Sequence, residues 1–167
     1  MSTNLLFDFS VNKENNTVNI KRAFNADIEL VWEAWTNAEV LDQWWAPKPL
    51  QSKTKIMDCT VGGRRFYAMV NSEGQEHWGI QQFTLINPTT HLNWLSSFAD
   101  KDENINTALP TSQWELNLIE QNETTIADIT IRHQTFANIE MLLQMGFKDG
   151  FTMTLNELDT LLSALKK

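Results

Sequence analysis

Along Thr17–Phe24, "TVNIKRAF", polarity alternates: Val18, Ile20 and Phe24 share one parity, Asn19 and Lys21 the other. A two-residue period marks a half-buried strand. The period then changes. Ile28, Val31, Trp32 and Trp35 recur at helical spacing behind Asp27, a residue suited to cap a helix. Asn37 supplies a second cap, ahead of a short apolar face of Val40, Leu41, Trp44 and Trp45. Pro47 and Pro49 lack an N–H donor and stop that helix. The pattern predicts a first strand followed by two short amphipathic helices.

From Ser52 to His133 the chain is a succession of short runs rich in β-branched and aromatic residues. Turn signals separate them: Gly62-Gly63, "NSEG", Asn87-Pro88, the polar "ADKDENINTALP" and "QNE". Strands joined by tight turns pair antiparallel, because a parallel pair needs a long crossover. Trp114, Leu116 and Leu118 alternate with Glu115 and Asn117, and Ala127, Ile129, Ile131 and His133 with Asp128, Thr130 and Arg132. One face of the sheet is therefore wet and the other covered. Between Arg64 and Val70 both parities carry apolar residues, so the facing there is ambiguous. Cys59 is read as a small buried hydrophobe inside the strand that precedes Gly62.

The tail predicts one continuous helix from about Ile139 to about Leu165. Phe147, Phe151, Leu155, Leu158, Leu162 and Leu165 form its apolar stripe, which Gln144 extends backward. A sheet with one covered face needs a cover, and only this helix is long enough. A twisted, curling sheet meets a straight helix well near one end and leaves a gap near the other. The tryptophan-bearing short helices are available to close that end. The fold class expected is α+β, with residues 1–167 forming a single domain.

Composition narrows the function. Hydrophobic residues at 42% and charged residues at 20% are those of a globular protein. The net charge of −8 opposes nucleic-acid binding, which needs a concentrated basic face. The N-terminal "MSTNLLFDFS" does not read as a signal peptide, no stretch is apolar enough for membrane insertion, and a lone cysteine fits a reducing compartment. A cytoplasmic protein is expected, as monomer or homodimer. His77, His91 and His133 have no metal-ligand spacing, and neither paired carboxylates, a nucleophile elbow nor a phosphate loop occurs. Neither metal nor cofactor is expected. Whether the protein is an enzyme stays open, with a non-enzymatic role preferred.

The order "RAFNADIELVWEAWTNAEVLDQWWAP", "MDCTVGGRRFYAMV", Glu73-Gly74, Gly79, "INPTTHLNW" and "MGFKDGFTMTLNELDTLL" resembles the activator-of-Hsp90-ATPase homologues of the START-like (SRPBCC, Bet v-like) superfamily. The resemblance runs from Thr17 onward. It implies a helix-grip fold, in which a curved antiparallel sheet wraps a long C-terminal helix. Two departures stand out: Arg65 replaces an aromatic usual in the family, and Phe151 lies near a usual tryptophan. Superfamily members bind lipids, sterols, polyketides and other hydrophobic molecules between sheet and helix, and a few are cyclases or hydrolases.

The residue reading and the resemblance together predict binding of a small hydrophobic or amphipathic molecule. A co-chaperone-like module whose partner is a chaperone is the alternative, and a cyclase- or hydrolase-type enzyme the third reading. The ligand-binding candidates are Arg22, Trp44, Trp45, Tyr67, Trp94, Trp114, His133, Gln144, Phe147 and Gly150. Arg22, on the apolar parity of its strand, either meets a carboxylate, a carbonyl or a ligand's acidic group inside, or snorkels to water. His133 is either a hydrogen-bonded core residue or part of a site. Gly146 and Gly150 either kink the helix, let a strand backbone approach closely, or make room for a cavity. Of the adjacent Trp44 and Trp45, one is expected to pack inward and the other to approach the cavity mouth, since neighbours on a helix point about 100° apart.

Overall fold

A computed structural model describes residues 6–165 of the chain. The first strand predicted, Thr17–Phe24 (β2), is preceded by an edge strand, Phe7–Asn12 (β1), that pairs antiparallel with it. Its sequence does alternate, Phe7, Phe9 and Val11 against Asp8, Ser10 and Asn12, a signal the strand reading passes over, and all but Phe9 are exposed. The two short helices thus follow the second strand. Asp27 caps the first, Ile28–Thr36 (α1), by accepting from the Leu30 N–H at 2.8 Å. Asn37 ends α1 and opens Ala38–Leu41 (α2), accepting from the Glu39 N–H at 2.9 Å.

Six strands follow: Gln51–Met57 (β3), Arg64–Val70 (β4), Glu76–Asn87 (β5), His91–Ala99 (β6), Ser112–Gln121 (β7) and Thr124–Arg132 (β8). They join β1 and β2 in one eight-stranded antiparallel sheet of order β1-β2-β8-β7-β6-β5-β4-β3. Register shifts at Thr54/Ile56 and Phe83/Leu85 mark irregularities that raise local twist. Cys59 lies beyond the end of β3 rather than within it, half-buried, and burial beside Asp58 raises its thiol pKa above the ordinary value.

The tail is two helices, Phe136–Gln144 (α3) and Phe147–Leu165 (α4), instead of the single one predicted. The break is at Gly146, whose φ of +89° lies in the left-handed region that only glycine enters freely. Its N–H reaches the Leu143 carbonyl at 3.1 Å, closing α3, and its carbonyl accepts from the Gly150 N–H at 2.9 Å, opening α4. Helical periodicity survives across the joint, which is why the pattern reads as continuous. Phe151, Leu155, Leu158 and Leu162 are buried as expected. They meet Val18 and Ile20 of β2, Leu116 of β7, and Ile129 and Ile131 of β8 in one core. Each fully buried Leu or Phe contributes roughly 1.5–3 kcal/mol. Leu165, assigned to the same stripe, is 43% exposed because the helix runs past the core there.

Candidate functional site

Trp45, three residues after the α2 cap Asp42, projects toward the covered face of the sheet and meets Trp114 of β7 at 6.0 Å between ring centroids. Trp114 lies 5.4 Å from Phe151, and Phe147 stacks on Phe151 at 5.5 Å with an 8° interplanar angle. These rings form one wall of an apolar groove of about 550 Å³. Tyr67 and Met69 of β4 and Phe98 of β6 line the opposite side, and Leu142, Met145 and Gly146 of the helix break overhang it. Met145 and Phe98 at its rim are exposed. The gap expected where helix and curved sheet diverge lies at this break.

Five of the candidate residues line this groove: Trp45, Tyr67, Trp114, Phe147 and Gly150. At Gly150 an added Cβ would meet only Pro47 Cγ, at 3.9 Å, so the glycine leaves open space rather than admitting backbone. Of the adjacent pair, Trp44 does pack inward. It is 1% exposed, and its indole donates to the Ala34 carbonyl at 2.9 Å.

The other candidates lie elsewhere. Trp94 sits behind the groove wall, stacked on Trp114 at 5.4 Å and 2% exposed. Gln144 is exposed at the end of α3, because the break rotates it off the stripe that a continuous helix would have given it. Arg22 turns toward α4, donating to Asn156 Oδ1 at 2.9 Å and lying 3.9 Å from Asp159. Its cation also sits 5.2 Å from the Phe7 ring and 5.6 Å from that of Phe24. Burial lowers its pKa from the ordinary value, and Asp159 opposes that shift. The edge strand β1 thus helps house Arg22.

His133 follows β8 and is buried, and its Nδ1 has no hydrogen-bond partner. It faces a void of about 20 Å³ beside Ser112, Ile139 and Phe147, room for one water, rather than the groove itself. Burial alone lowers its pKa, since a charged imidazole there would be desolvated.

The main polar feature beside the groove is one that the candidate residues omit. Arg65 is fully buried. Its guanidinium donates to Ser52 Oγ at 2.8 Å, Thr54 Oγ1 at 3.0 Å, and Asp42 Oδ1 and Gln81 Oε1 at 3.3 Å each. It lies 4.1 Å from the Tyr67 ring centroid and 5.6 Å from that of Trp45. Asp42, the cap of α2, is held in turn by the Thr54 N–H at 2.9 Å and by the hydroxyls of Ser52 and Thr54. Burial lowers the Arg65 pKa, opposed first by Tyr67 and then by Asp42. The departure at Arg65 was visible in the sequence, but its ion pair with the α2 cap required the fold.

Tryptophan-rich surface is not what the cluster forms. Trp35, Trp44, Trp45, Trp94 and Trp114 are buried, and Trp32 and Trp78 half-buried. The indole N–H groups of Trp35, Trp45 and Trp94 have no hydrogen-bond partner, so aromatic contact dominates their packing. Most of the cluster is core; only Trp45 and Trp114 carry it through to the groove.

Residues 25–163 match the family model described as activator of Hsp90 ATPase homolog 1-like protein. The chain belongs to that family. Among solved structures, protein Ms6760 from Mycobacterium smegmatis is 25% identical with a TM-score of 0.86, over 95% of this chain and 96% of that one. A protein from Arthrobacter aurescens is 25% identical with a TM-score of 0.89, covering 94% and 91% of the two chains. CalU16 from Micromonospora echinospora, at 16% identity and a TM-score of 0.62 over 96% and 87%, shares the fold. A search of curated proteins finds no match. The helix-grip fold of this activator-homologue family accounts for the curved sheet and the C-terminal helices. Among the described residues no helix is long and apolar enough to cross a membrane, and no group of three or more histidine, cysteine or acidic side chains could hold a metal ion.

Proposed function

We propose that the protein binds a small hydrophobic or amphipathic molecule in the groove between the sheet and the α3–α4 break. The observation that carries this reading is the groove's make-up: about 550 Å³, walled by Trp45, Trp114, Phe147 and Phe151, with Gly150 left open beneath Pro47. Its volume lies in the range of small-molecule sites, which are apolar with a few polar groups. A single cysteine and the acidic composition accord with a cytoplasmic setting. The burial of the tryptophans argues for this role over a chaperone-docking module, which would present them outward.

Native mass spectrometry of protein purified from its own host is the direct test. A bound hydrophobic species of defined mass, displaced one-for-one by an added amphipathic molecule, supports the reading. No copurifying molecule, together with no saturable change in tryptophan fluorescence for any amphipathic probe, refutes it.

A further inference from the structure

One end of the groove opens into a nook of about 80 Å³ that includes Tyr67 of β4, His77 and Gly79 of β5, and Ser96 of β6. Tyr67, His77 and Ser96 also line the groove. Tyr67 pairs across the sheet with Gly79. A Cβ at Gly79 would lie 2.9 Å from both Cζ and Oη of Tyr67, closer than side chains pack. The absence of a side chain there sets where the phenol hydroxyl rests. Within the described residues, the Tyr67 hydroxyl, the His77 ring nitrogens and the Ser96 hydroxyl make no hydrogen bond to the protein, in contrast to the neighbouring Ser97, which bonds Thr111 at 3.2 Å.

Carboxylates stay outside this end: Glu76 and Asp100 line a neighbouring surface pocket that shares His77, Trp78 and Phe98 with the nook. Neither groove nor nook is lined by a carboxylate, although the chain carries a net charge of −8. The fully buried Arg65 stands against the Tyr67 ring at 4.1 Å, and its carboxylate partner Asp42 belongs to α2 rather than to the nook. A buried cation behind a phenol favours electron-rich oxygen in front of the hydroxyl and disfavours a second cation.

We infer that the nook made by Tyr67, Ser96 and His77 beside Gly79 recognises a hydrogen-bond-accepting oxygen, a carbonyl or carboxylate, at the end of a ligand whose apolar body lies on the Trp114–Phe147–Phe151 wall. This rests on the binding role proposed above and specifies the ligand's chemistry. The hydroxyls of Tyr67 and Ser96 donate to the oxygen, and His77 supplies a further ring N–H. The rings of the wall suit a flat body, which they meet face-on or edge-on.

Four naphthalene probes separate the possibilities: naphthalene itself, 2-acetylnaphthalene, 2-naphthoate and 2-naphthylmethylammonium. Binding is followed by the NMR shifts of the indole N–H resonances of Trp45 and Trp114, in the wild type and in Tyr67→Phe, Ser96→Ala and Gly79→Ala variants. At least one of the two acceptor probes is expected to bind about tenfold more tightly than naphthalene, and the ammonium no better than naphthalene. Tyr67→Phe keeps the ring against Arg65 but removes the donor, so it is expected to abolish the acceptor's tenfold advantage over naphthalene measured in the same variant. Gly79→Ala, by displacing the phenol, should act in the same direction. Equal affinity for all four probes, or an acceptor advantage that survives both Tyr67→Phe and Ser96→Ala, overturns the head assignment while the cavity stands. Failure of all four probes to bind overturns both.

Discussion

Gly150 offers the sharpest separation of stability from binding. It is the fourth residue of α4, with ordinary helical backbone, and its added Cβ would have only Pro47 Cγ within contact, at 3.9 Å. Replacing a helical glycine by alanine gains up to about 1 kcal/mol, because the glycine's extra backbone freedom is lost on folding. In a domain of this size 1 kcal/mol moves the melting temperature by roughly 2–4 °C. Gly150→Ala is therefore expected to melt about 2–4 °C above the wild type by circular dichroism. Gly150→Phe has the same backbone advantage, but side chains on a helix lean toward its N-terminus. The new ring would thus project over Gly146 and Phe147, which line the groove. It should leave melting near the wild-type value and weaken a saturable ligand-induced change in tryptophan fluorescence by tenfold or more, about 1.4 kcal/mol. A Gly150→Phe protein that binds as well as the wild type would show that Gly150 does not shape the site. A fall in melting temperature for Gly150→Ala would refute the claim that its Cβ meets open space.

Leu158→Ala should destabilise by about 2–5 kcal/mol in urea unfolding, since Leu158 is fully buried in the core; an unchanged midpoint contradicts that placement. Gly146→Ala should lower stability by about 1–2 kcal/mol through its positive φ alone, because nothing lies within 4 Å of the added Cβ. Asp42→Asn removes the charge opposite a fully buried Arg65. Because Asp42 is part-exposed, the expected cost is about 2–3 kcal/mol, below the 3–5 typical of breaking a fully buried pair, and chemical denaturation measures it. His133 binds its proton less readily folded than unfolded. On acidification the unfolded chain therefore takes up that proton first, and stability falls as the pH drops below about 6.5 toward the lower folded value. His133→Leu should flatten the melting-temperature profile between about pH 7.5 and 5.5, and an identical slope would refute the assignment.

Much of the fold is legible in local pattern because the signals are local. Asp27 and Asn37 cap their helices through side-chain oxygens that reach N–H groups two or three residues on. Alternation around Trp114 and Ile129 marks strands with one covered face, and the stripe from Phe151 to Leu162 marks the helix that covers it. Edge strand β1 carries the same alternation, Phe7, Phe9 and Val11 against Asp8, Ser10 and Asn12, and is legible in the sequence although the strand reading begins only at Thr17. The helix break escapes because one glycine in a left-handed conformation changes the direction of the chain without disturbing its apolar spacing.

The site divides along the same line. Residue type and the family resemblance together bring forward Trp45, Tyr67, Trp114, Phe147 and Gly150, because large aromatics and a helical glycine beside a covered sheet face suit a cavity wall, although parity leaves the facing of Tyr67 open. Local pattern also supports Gln144 on an inward stripe, yet the kink at Gly146 leaves it in solvent. Arg22 shares a parity with apolar residues, yet Asn156 and Asp159 claim it from 134 and 137 positions away. Arg65 on β4 finds Asp42 at the end of α2, 23 positions away, and Tyr67 finds its place because Gly79 faces it on the next strand. Sequence period determines which face a residue joins, since that depends on a few neighbouring dihedrals. The tertiary structure decides which polar group meets which, because partners distant in sequence are brought within hydrogen-bonding reach only by the assembled sheet and the bent helix.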